Sequence, residues 1–452
     1  MALIPRSAGM LRITIACMRW ICLVLLLSAA APAADVERMT ADELDSLVAL
    51  YKDLHAHPEL SFYEKETAAK LAGELRGLGF TVTENVGGFG FVALMENGEG
   101  PTVMLRTDLD GLPVVEQTGR PYASDVRTTD DLGQDVGVMH ACAHDIHMSS
   151  FIGTARNLVR SKGEWSGTLM MIGQPAEERG AGAKAMLDDG LFERFPVPDY
   201  ALAMHANAGL ETGKISYTSG FAMAAVDSVD VTIRGVGGHG AYPHKTKDPV
   251  VLAAQVIMGL QTIVSREVDP VDSAVVTVGS IHGGAKHNVI SEEVKLQLTV
   301  RSYSDETREM LLDSIKRIAV NTARAFGVPE EQLPTVELAN KEYTPSLYND
   351  PELTERVSGV LREALGEANV LEVDPVMGGE DFSRYGRTAH DVPVYLYWVG
   401  TIDPERYAAA TAPGGPGLPS LHSPLFWPEP VEAIRTGVRA MTTGALELLA
   451  KR

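Results

Sequence analysis

The chain has 452 residues, which is enough for two domains or for one large domain with an insertion. Apolar residues make up 45% of the chain and charged residues 22%, as expected of a globular protein. The formal net charge of −21 argues against nucleic acid and anionic lipid as partners, because both are bound through Lys and Arg.

The N-terminal segment has the pattern of an export signal. Three arginines precede the apolar run WICLVLLLSAAAPA, which is shorter than the about 20 apolar residues of a membrane span. Its last residues, APA, offer a cleavage site of small residues. We expect a signal peptide over residues 1–33 and an exported protein, periplasmic or secreted; an uncleaved anchor is the alternative. Cleavage would leave Cys142 as the sole thiol, either buried and inert or held by a metal.

Helical and strand patterns alternate along most of the chain. Apolar spacing predicts helices at EKETAAKLAGELRGLGF (residues 64–80), at MSSFIGTARNLV and at the C-terminal VEAIRTGVRAMTTGALELL. Short continuous apolar runs predict buried strands at FVALME, TVMLR, TLMMIG, YALAMH and VPVYLYWVG. This order predicts an α/β domain, a mixed sheet with helices on both faces, built from residues 34–221 and 336–452.

Residues 222–335 have a different pattern. The strands DSVDVTIRG, SAVVTVGSI and EVKLQLTVRSY alternate polar and apolar residues, and helical stretches at 248–266 and 305–326 separate them. With a further strand near TVELAN, this order predicts a four-stranded antiparallel sheet with two helices. We interpret the segment as an α+β satellite domain inserted into the α/β domain.

Side chains that can ligate metals follow several predicted strands or lie in loops. They are Asp108, Asp110, Cys142, His144, Glu177, Glu178, His205 and His422. In open α/β sheets, sites form beyond the carboxyl ends of the strands, so we expect these residues to converge.

A thiolate, imidazoles and carboxylates together suit a divalent ion such as zinc or manganese. The pair Glu177-Glu178 indicates catalysis, because one carboxylate can ligate while the other takes a proton from water. The alternative for this pair is a solvated acidic turn, and the alternative for Cys142 is an inert core thiol.

Eight motifs in order resemble the metallopeptidase family of aminoacylases, hippurate hydrolases, auxin-conjugate amidohydrolases and carboxypeptidase G. They are LHAHPELSFYEKET, RTDLDGLP, MHACAHDIHM, GQPAEE, GVGGHGAYPH, HNVI, GGEDF and LHSPLF. The resemblance implies a catalytic domain with two metal ions, zinc or manganese, and a satellite domain that closes over the substrate and often dimerises. It also implies hydrolysis of the amide bond of N-acyl amino acids or small peptides.

The resemblance implies roles for individual residues as well. The implied metal ligands are Cys142, His144, Glu178, His205 and His422. Glu177 resembles the general base, Asp110 the carboxylate that orients a ligand, and His239 the group that stabilises the oxyanion. Asn288 and Arg301 resemble residues that grip the polar or carboxylate end of the substrate.

The chain departs from the family pattern at three positions. Ala143 and Arg179 stand where Gly is usual, and Ser291 replaces a frequent Pro. A methyl group at residue 143 would crowd the loop if the backbone there needs a positive φ.

We interpret His55 as a local residue at a helix start.

The sequence thus predicts an exported dinuclear-metal amidohydrolase of N-acyl or N-aroyl amino acids. A metallo-dipeptidase or carboxypeptidase on small peptides and a non-catalytic metal-dependent binding protein are the alternatives. The expected partners are a small-molecule substrate and a second copy through the satellite domain, without nucleic acid or membrane after cleavage. The glycines of GVGGHG match a dinucleotide-binding pattern. A dinucleotide site is disfavoured because Pro243 intervenes before the next helix and because the following strand lacks a terminal acidic residue. A serine hydrolase is disfavoured because Gly-x-Ser-x-Gly is absent from the sequence.

Overall fold

The computed structural model describes residues 30–338 and 343–451, so most of the predicted signal peptide lies outside the described residues. The helices are α1 Ala30–Ala56, α2 Lys65–Gly77, α3 His144–Arg160, α4 Gly182–Asp188, α5 Leu191–Arg194, α6 Pro249–Thr262, α7 Asp305–Ala325, α8 Pro351–Leu365, α9 Pro404–Thr411 and α10 Pro430–Leu448. The strands are β1 Thr81–Glu84, β2 Phe91–Asn97, β3 Thr102–Asp108, β4 Arg127–Thr129, β5 Asp135–Gly137, β6 Gly167–Gln174, β7 Tyr200–Glu211, β8 Ile215–Tyr217, β9 Gly220–Met223, β10 Ala225–Arg234, β11 Gly238–His239, β12 Ala274–Gly283, β13 Val289–Ile290, β14 Glu293–Ser302, β15 Thr335–Leu338, β16 Leu347–Asn349, β17 Val370–Glu372 and β18 Val394–Ile402.

The large sheet has eight strands in the order β1-β2-β6-β3-β7-β18-β8-β17. Its centre, β6-β3-β7-β18, is parallel, and β1-β2-β6 is antiparallel. Val103 and Leu105 of β3 belong to one apolar cluster, shared with α1, α3 and α10, whereas Met104 belongs to a second cluster, shared with α4 and α5. Alternate strand residues point to opposite faces, so helices cover both faces of the sheet. The predicted α/β fold is confirmed.

The middle of the chain forms a second sheet, four-stranded and antiparallel, in the order β12-β14-β10-β15. Every second residue of β10 is buried, and Val229, Val231 and Ile233 pack in one apolar cluster with residues of α6 and α7. This confirms the predicted architecture of the segment. The boundaries at 222 and 335 stay predictions, and the strands of this sheet run from Ala225 to Leu338.

Within the described residues, the segment Pro249–Glu267, which contains α6, is long and apolar enough to cross a membrane by length and composition. Leu252, Val256 and Leu260 on this helix pack into the apolar cluster beneath the second sheet. A packed core helix passes the same test, so the segment is weak support for a membrane span.

The parallel strands place candidate site residues at one edge of the large sheet. In the register of β3 and β6, Asp108 lies opposite Gln174, the residue three before Glu177. On the other side of β3, Arg106 lies opposite Ala203, two residues before His205. The ends of three strands therefore position the predicted site, and α3 begins beside them at His144.

Candidate metal centre and active site

The structure brings together the five side chains predicted as metal ligands. Cys142 Sγ lies 3.5 Å from His205 Nε2, and His422 Nε2 lies 3.4 Å from Glu178 Oε2. His144 Nε2 is 3.7 Å from Glu178 Oε1. Two groups of three, Cys142–His144–His205 and Cys142–Glu178–His422, each have ligand atoms within 4.8 Å of one another. The arrangement suits metal binding, while the assignment of each ligand stays a prediction.

The backbone at these residues is strained. Ala143, between Cys142 and His144, has φ 62° and ψ 33° in the left-handed region, and His422 has φ 66°. Ala176, which precedes Glu177, has φ 49°. A left-handed alanine costs about 1–2 kcal/mol, and such strain concentrates at functional sites. Residue 143 therefore has the positive φ at which, as stated in the sequence analysis, the methyl group of an alanine crowds the loop.

Hydrogen bonds fix the ring orientation of two candidate histidine ligands. His144 Nδ1 donates to the Asp110 carbonyl at 2.8 Å, and His205 Nδ1 donates to the Ala206 carbonyl at 2.8 Å. In a neutral ring this leaves the Nε2 lone pair directed to the centre, as metal ligation requires. His144 Nε2 and Glu178 Oε1 are buried atoms without a hydrogen-bond partner among the described residues. A cation bound between them would satisfy both atoms.

The charge at the centre also favours a cation. Burial lowers the pKa of His144, but Asp108, Asp110 and Glu178 outweigh it and raise that pKa to about 10. A metal bound at Nε2 would displace this proton, so metal affinity at the site would fall with decreasing pH.

Asp110 holds two of the ligand segments in place. Its side chain accepts hydrogen bonds from Glu177 N at 3.2 Å, from Glu178 N at 3.1 Å and from Ser61 Oγ at 2.6 Å, while its carbonyl holds His144. Burial opposes its ionisation, but hydrogen bonding and charge from His144 outweigh burial and lower the pKa of Asp110. Asp110 thus orients ligands without needing to touch a metal.

Glu177 is buried beside further carboxylates. Oxygens of Glu177, Glu380 and Asp381 lie within 4.8 Å of one another. Burial, followed by the charges of Glu380 and Glu178, raises the pKa of Glu177. A raised pKa is the property expected of a general base that must later return its proton.

A buried arginine network behind Glu177 was missed by the sequence analysis. The Arg106 guanidinium is fully buried and donates to Asp108 at 2.7 Å, to Glu380 at 2.9 Å and to Gln174 at 3.0 Å. Because buried charges must be paired, Arg106 compensates for the carboxylates at this edge. The motifs RTDLDGLP, GQPAEE and GGEDF contain these residues, and a buried strand carrying an arginine was the available signal.

His147 joins two strands beside the candidate metal centre. Its Nδ1 donates to Asp108 Oδ1 at 2.8 Å, and its Nε2 accepts from Ala206 N at 2.8 Å. Both ring nitrogens are engaged, so His147 stabilises the strand that carries His205.

The interpretation of His55 as a residue at a helix start is wrong. His55 lies at the end of α1, fully buried, with Nδ1 donating to Asp145 at 2.6 Å and Nε2 to Glu116 at 3.2 Å. Burial lowers the pKa of His55, but the two carboxylates outweigh it and raise that pKa to about 9. The spacing of Leu47, Tyr51 and His55 places all three on one helix face, which could have indicated burial.

The remaining predicted site residues lie in the second sheet and its loops. His239 pairs with Val289 in the β11–β13 ribbon, and the carbonyl of the neighbouring Asn288 accepts from Gly240 N at 2.8 Å. Both His239 and Asn288 are exposed. Arg301 lies on β14, with Nη1 3.7 Å from the position of a β-carbon at Gly379. No side-chain hydrogen bond or ion pair among residues 30–338 and 343–451 joins His239 to the ligand cluster, and the roles of these three residues stay predictions.

The chain is similar to proteins of one hydrolase family. Residues 104–413 match peptidase family M20/M25/M40. Thermostable carboxypeptidase 1 of Saccharolobus solfataricus is 34% identical over 366 residues, which are 80% of this chain and 87% of that protein. Hippurate hydrolase of Campylobacter jejuni is 36% identical over 334 residues, which are 74% of this chain and 82% of that protein.

A solved structure agrees with these relatives. The YXEP protein of Bacillus subtilis, described as a dinuclear metal binding peptidase from the M20 family, is 29% identical. It has a TM-score of 0.72 and covers 90% of this chain and 99% of that chain. The resemblance inferred from the eight motifs is confirmed.

Proposed function

Because the chain belongs to peptidase family M20/M25/M40 and is a metal-dependent amide hydrolase, we propose that it hydrolyses N-acyl or N-aroyl amino acids with two divalent ions, zinc or manganese. The observation that carries the proposal is that the two groups of three candidate ligands share Cys142. One thiolate between two ligand sets suits a dinuclear centre, and Glu177 remains beside it as a base.

The chemistry divides between the ions and the side chains. Two divalent ions bound here would polarise the scissile carbonyl and acidify a water molecule. Glu177 takes the proton of the attacking water and later delivers it to the leaving amine, for which its raised pKa is suited. Asp110 keeps Glu177 and Glu178 in one turn through both backbone amides.

The second sheet would supply the substrate contacts. Arg301 is half-buried and makes no ion pair within the described part of the chain, so its planar guanidinium is available to both oxygens of a substrate carboxylate. His239 would stabilise the oxyanion and Asn288 would bind the polar end of the substrate. His239 lies on the β11–β13 ribbon and Asn288 directly precedes β13, so closure of the satellite domain would deliver both residues together.

The experiment that tests this function is hydrolysis of N-acetyl amino acids, N-benzoyl amino acids and dipeptides, before and after chelation with zinc or manganese restored. We expect chelation-sensitive release of the free amino acid from the acylated substrates. Preference for dipeptides would favour the carboxypeptidase alternative, to which the similarity to thermostable carboxypeptidase 1 gives support. Absence of hydrolysis for every substrate would favour a binding protein.

Glu177→Gln tests the base within the same assay. The amide keeps the size of the side chain but cannot accept the proton, so turnover should fall by about a thousandfold or more while bound metal is retained. Glu84→Gln, a change at a half-buried carboxylate on β1 outside the ligand cluster, is the matched control. Normal turnover of Glu177→Gln would contradict the assignment.

Export is proposed from the leader alone. We expect the mature protein, isolated from the periplasm or the medium, to begin near Ala34, because the APA site precedes it. N-terminal sequencing of that protein measures the start. A mature protein that retains residues 1–33 in the membrane would favour the anchor instead.

A homodimer through the satellite domain is proposed from its free edge and its apolar helix face. β12 is an edge strand of ten residues, and Val250, Val251 and Met258 on α6 are exposed. Pairing β12 with the same strand of a second copy would extend the sheet and bring two α6 faces together around a twofold axis. Light scattering should give twice the chain mass, and Met258→Glu should give monomers.

A further inference from the structure

Glu64 directly precedes α2, but its side chain makes no capping hydrogen bond to that helix. Glu59 binds the free N–H groups at the start of α2 instead, since its carboxylate accepts from Glu66 N at 3.2 Å and from Thr67 N at 2.8 Å. The Glu64 side chain is fully buried and reaches the segment that precedes Glu177. The contacts of Glu64 therefore serve a part of the chain other than its own helix.

One oxygen of Glu64 binds the backbone at two left-handed residues. Glu64 Oε1 accepts from Ala176 N at 2.7 Å and from Phe62 N at 2.8 Å. Ala176 has φ 49° and Phe62 has φ 67°, values that non-glycine residues adopt rarely. Glu64 thus stabilises an unfavourable backbone conformation at the residue directly before Glu177.

The turn that carries Glu177 directs three consecutive backbone N–H groups to two buried carboxyl groups. Ala176 N donates to Glu64, while Glu177 N and Glu178 N donate to Asp110 at 3.2 and 3.1 Å. Successive N–H groups in a turn of this kind form a concavity that binds anions. Asp110 orients the last two residues of the turn, and Glu64 fixes the first. The direction in which the Glu177 side chain leaves the backbone therefore depends on Glu64 through Ala176.

The protonation of Glu64 identifies its conservative replacement. Burial, followed by the charge of Asp110, raises the pKa of Glu64 to about 8, although the hydrogen bonds from Ala176 N and Phe62 N oppose the rise. The carboxyl group is therefore mostly protonated at pH 7. A neutral amide of the same size can keep the same acceptor oxygen, so Glu64→Gln should preserve the contact with Ala176 N.

We propose that Glu64 is a positioning residue for the general base: it holds Ala176 in the left-handed conformation and so orients the Glu177 carboxylate towards the attacking water. Glu64 acts through Ala176 rather than on the metal ions or the substrate. The inference rests on the proposed function, because it takes Glu177 as the base. A left-handed alanine is disfavoured by about five- to thirtyfold, so the loss of Glu64 should lower the population of the productive turn by a similar factor.

The test measures kcat, KM and bound metal for Glu64→Leu and Glu64→Gln with an N-acyl amino acid that the wild type hydrolyses. Glu64→Leu should lower kcat by about five- to thirtyfold, with KM within about twofold and bound metal unchanged, because Asp110 still holds the turn at Glu178. Glu64→Gln should keep kcat within about threefold of the wild type. Glu59→Leu is the matched control, because it also removes a carboxylate that accepts from two backbone N–H groups; it should lower the free energy of unfolding without lowering kcat.

Ala176→Gly separates positioning from a general loss of packing. Glycine adopts the left-handed conformation without strain, so adding Ala176→Gly to Glu64→Leu should bring kcat to within about threefold of Ala176→Gly alone. Asp391→Gly changes an equally left-handed residue, with φ 48°, near the start of β18, and it should not restore kcat. If Glu64→Leu alone does not fold, the comparison of the double variant with Ala176→Gly decides.

Three results would refute the positioning role and leave the proposed function standing. They are a kcat of Glu64→Leu within about twofold of the wild type, a loss of metal from that variant, and a kcat that Ala176→Gly does not restore. If the wild type hydrolyses none of the substrates with metal restored, the proposed function fails and the positioning role with it.

Discussion

Replacing His55 with Gln should destabilise the protein in a pH-dependent manner. The substitution leaves the buried carboxylates of Asp145 and Glu116 without their cation. The pKa of His55 is about 9 in the folded protein and 6.5 in an unfolded chain, and this difference corresponds to about 3 kcal/mol. Because the folded pKa is the higher one, the contribution is fully present below pH 6.5 and is lost as the pH rises through 9.

The assay is urea unfolding of the wild type and His55→Gln at pH 6 and pH 10, with equal metal. The free energy of unfolding should differ by about 3 kcal/mol at pH 6, and by much less at pH 10, where the wild type has lost the imidazolium. His57→Gln is the matched control, since His57 lies two residues further along the chain with an exposed side chain. A difference that is equal at both pH values, or that His57→Gln reproduces, would refute the ion-triad reasoning.

Two further changes test the supports of the centre. Asp110→Asn should weaken metal binding by about 10–100-fold, because the side-chain amide is a poorer acceptor for the backbone N–H groups of Glu177 and Glu178. Competition with a chelator measures the metal affinity, and an unchanged affinity would contradict the role of Asp110. Arg106→Met should lower the free energy of unfolding by about 3–5 kcal/mol, because Asp108 and Glu380 would stay buried without their counter-ion. Denaturant unfolding measures the second change, and a loss below 1 kcal/mol would show that these carboxylates do not depend on Arg106.

The sequence predicted the residues at strand ends because local pattern determines them. The apolar runs before Glu177 and before His205 are continuous, and both residues lie at one edge in the structure because β3, β6 and β7 are parallel neighbours. The alternating strands of the middle segment likewise predicted a sheet with one buried face, which the structure confirms.

What the sequence could not predict depends on contacts between distant segments. His55 pairs with residues 61 and 90 positions away, and Arg106 with one 274 positions away, so neither pairing leaves a local pattern. The sequence predicted crowding at Ala143 only if φ is positive there, because an alanine in a sequence does not reveal the sign of φ. The place of His239 depends on how the satellite domain stands against the ligand cluster, which strand patterns do not encode.

The central claim is that Cys142 and the four other candidate ligands hold two divalent ions. The most direct measurement is the metal content of the purified, metal-reconstituted protein by elemental analysis, together with alkylation of Cys142 in the folded state. Two ions per chain and a thiol protected until chelation are the predicted result. No stoichiometric metal, with a thiol that reacts freely in the folded protein, would contradict the claim.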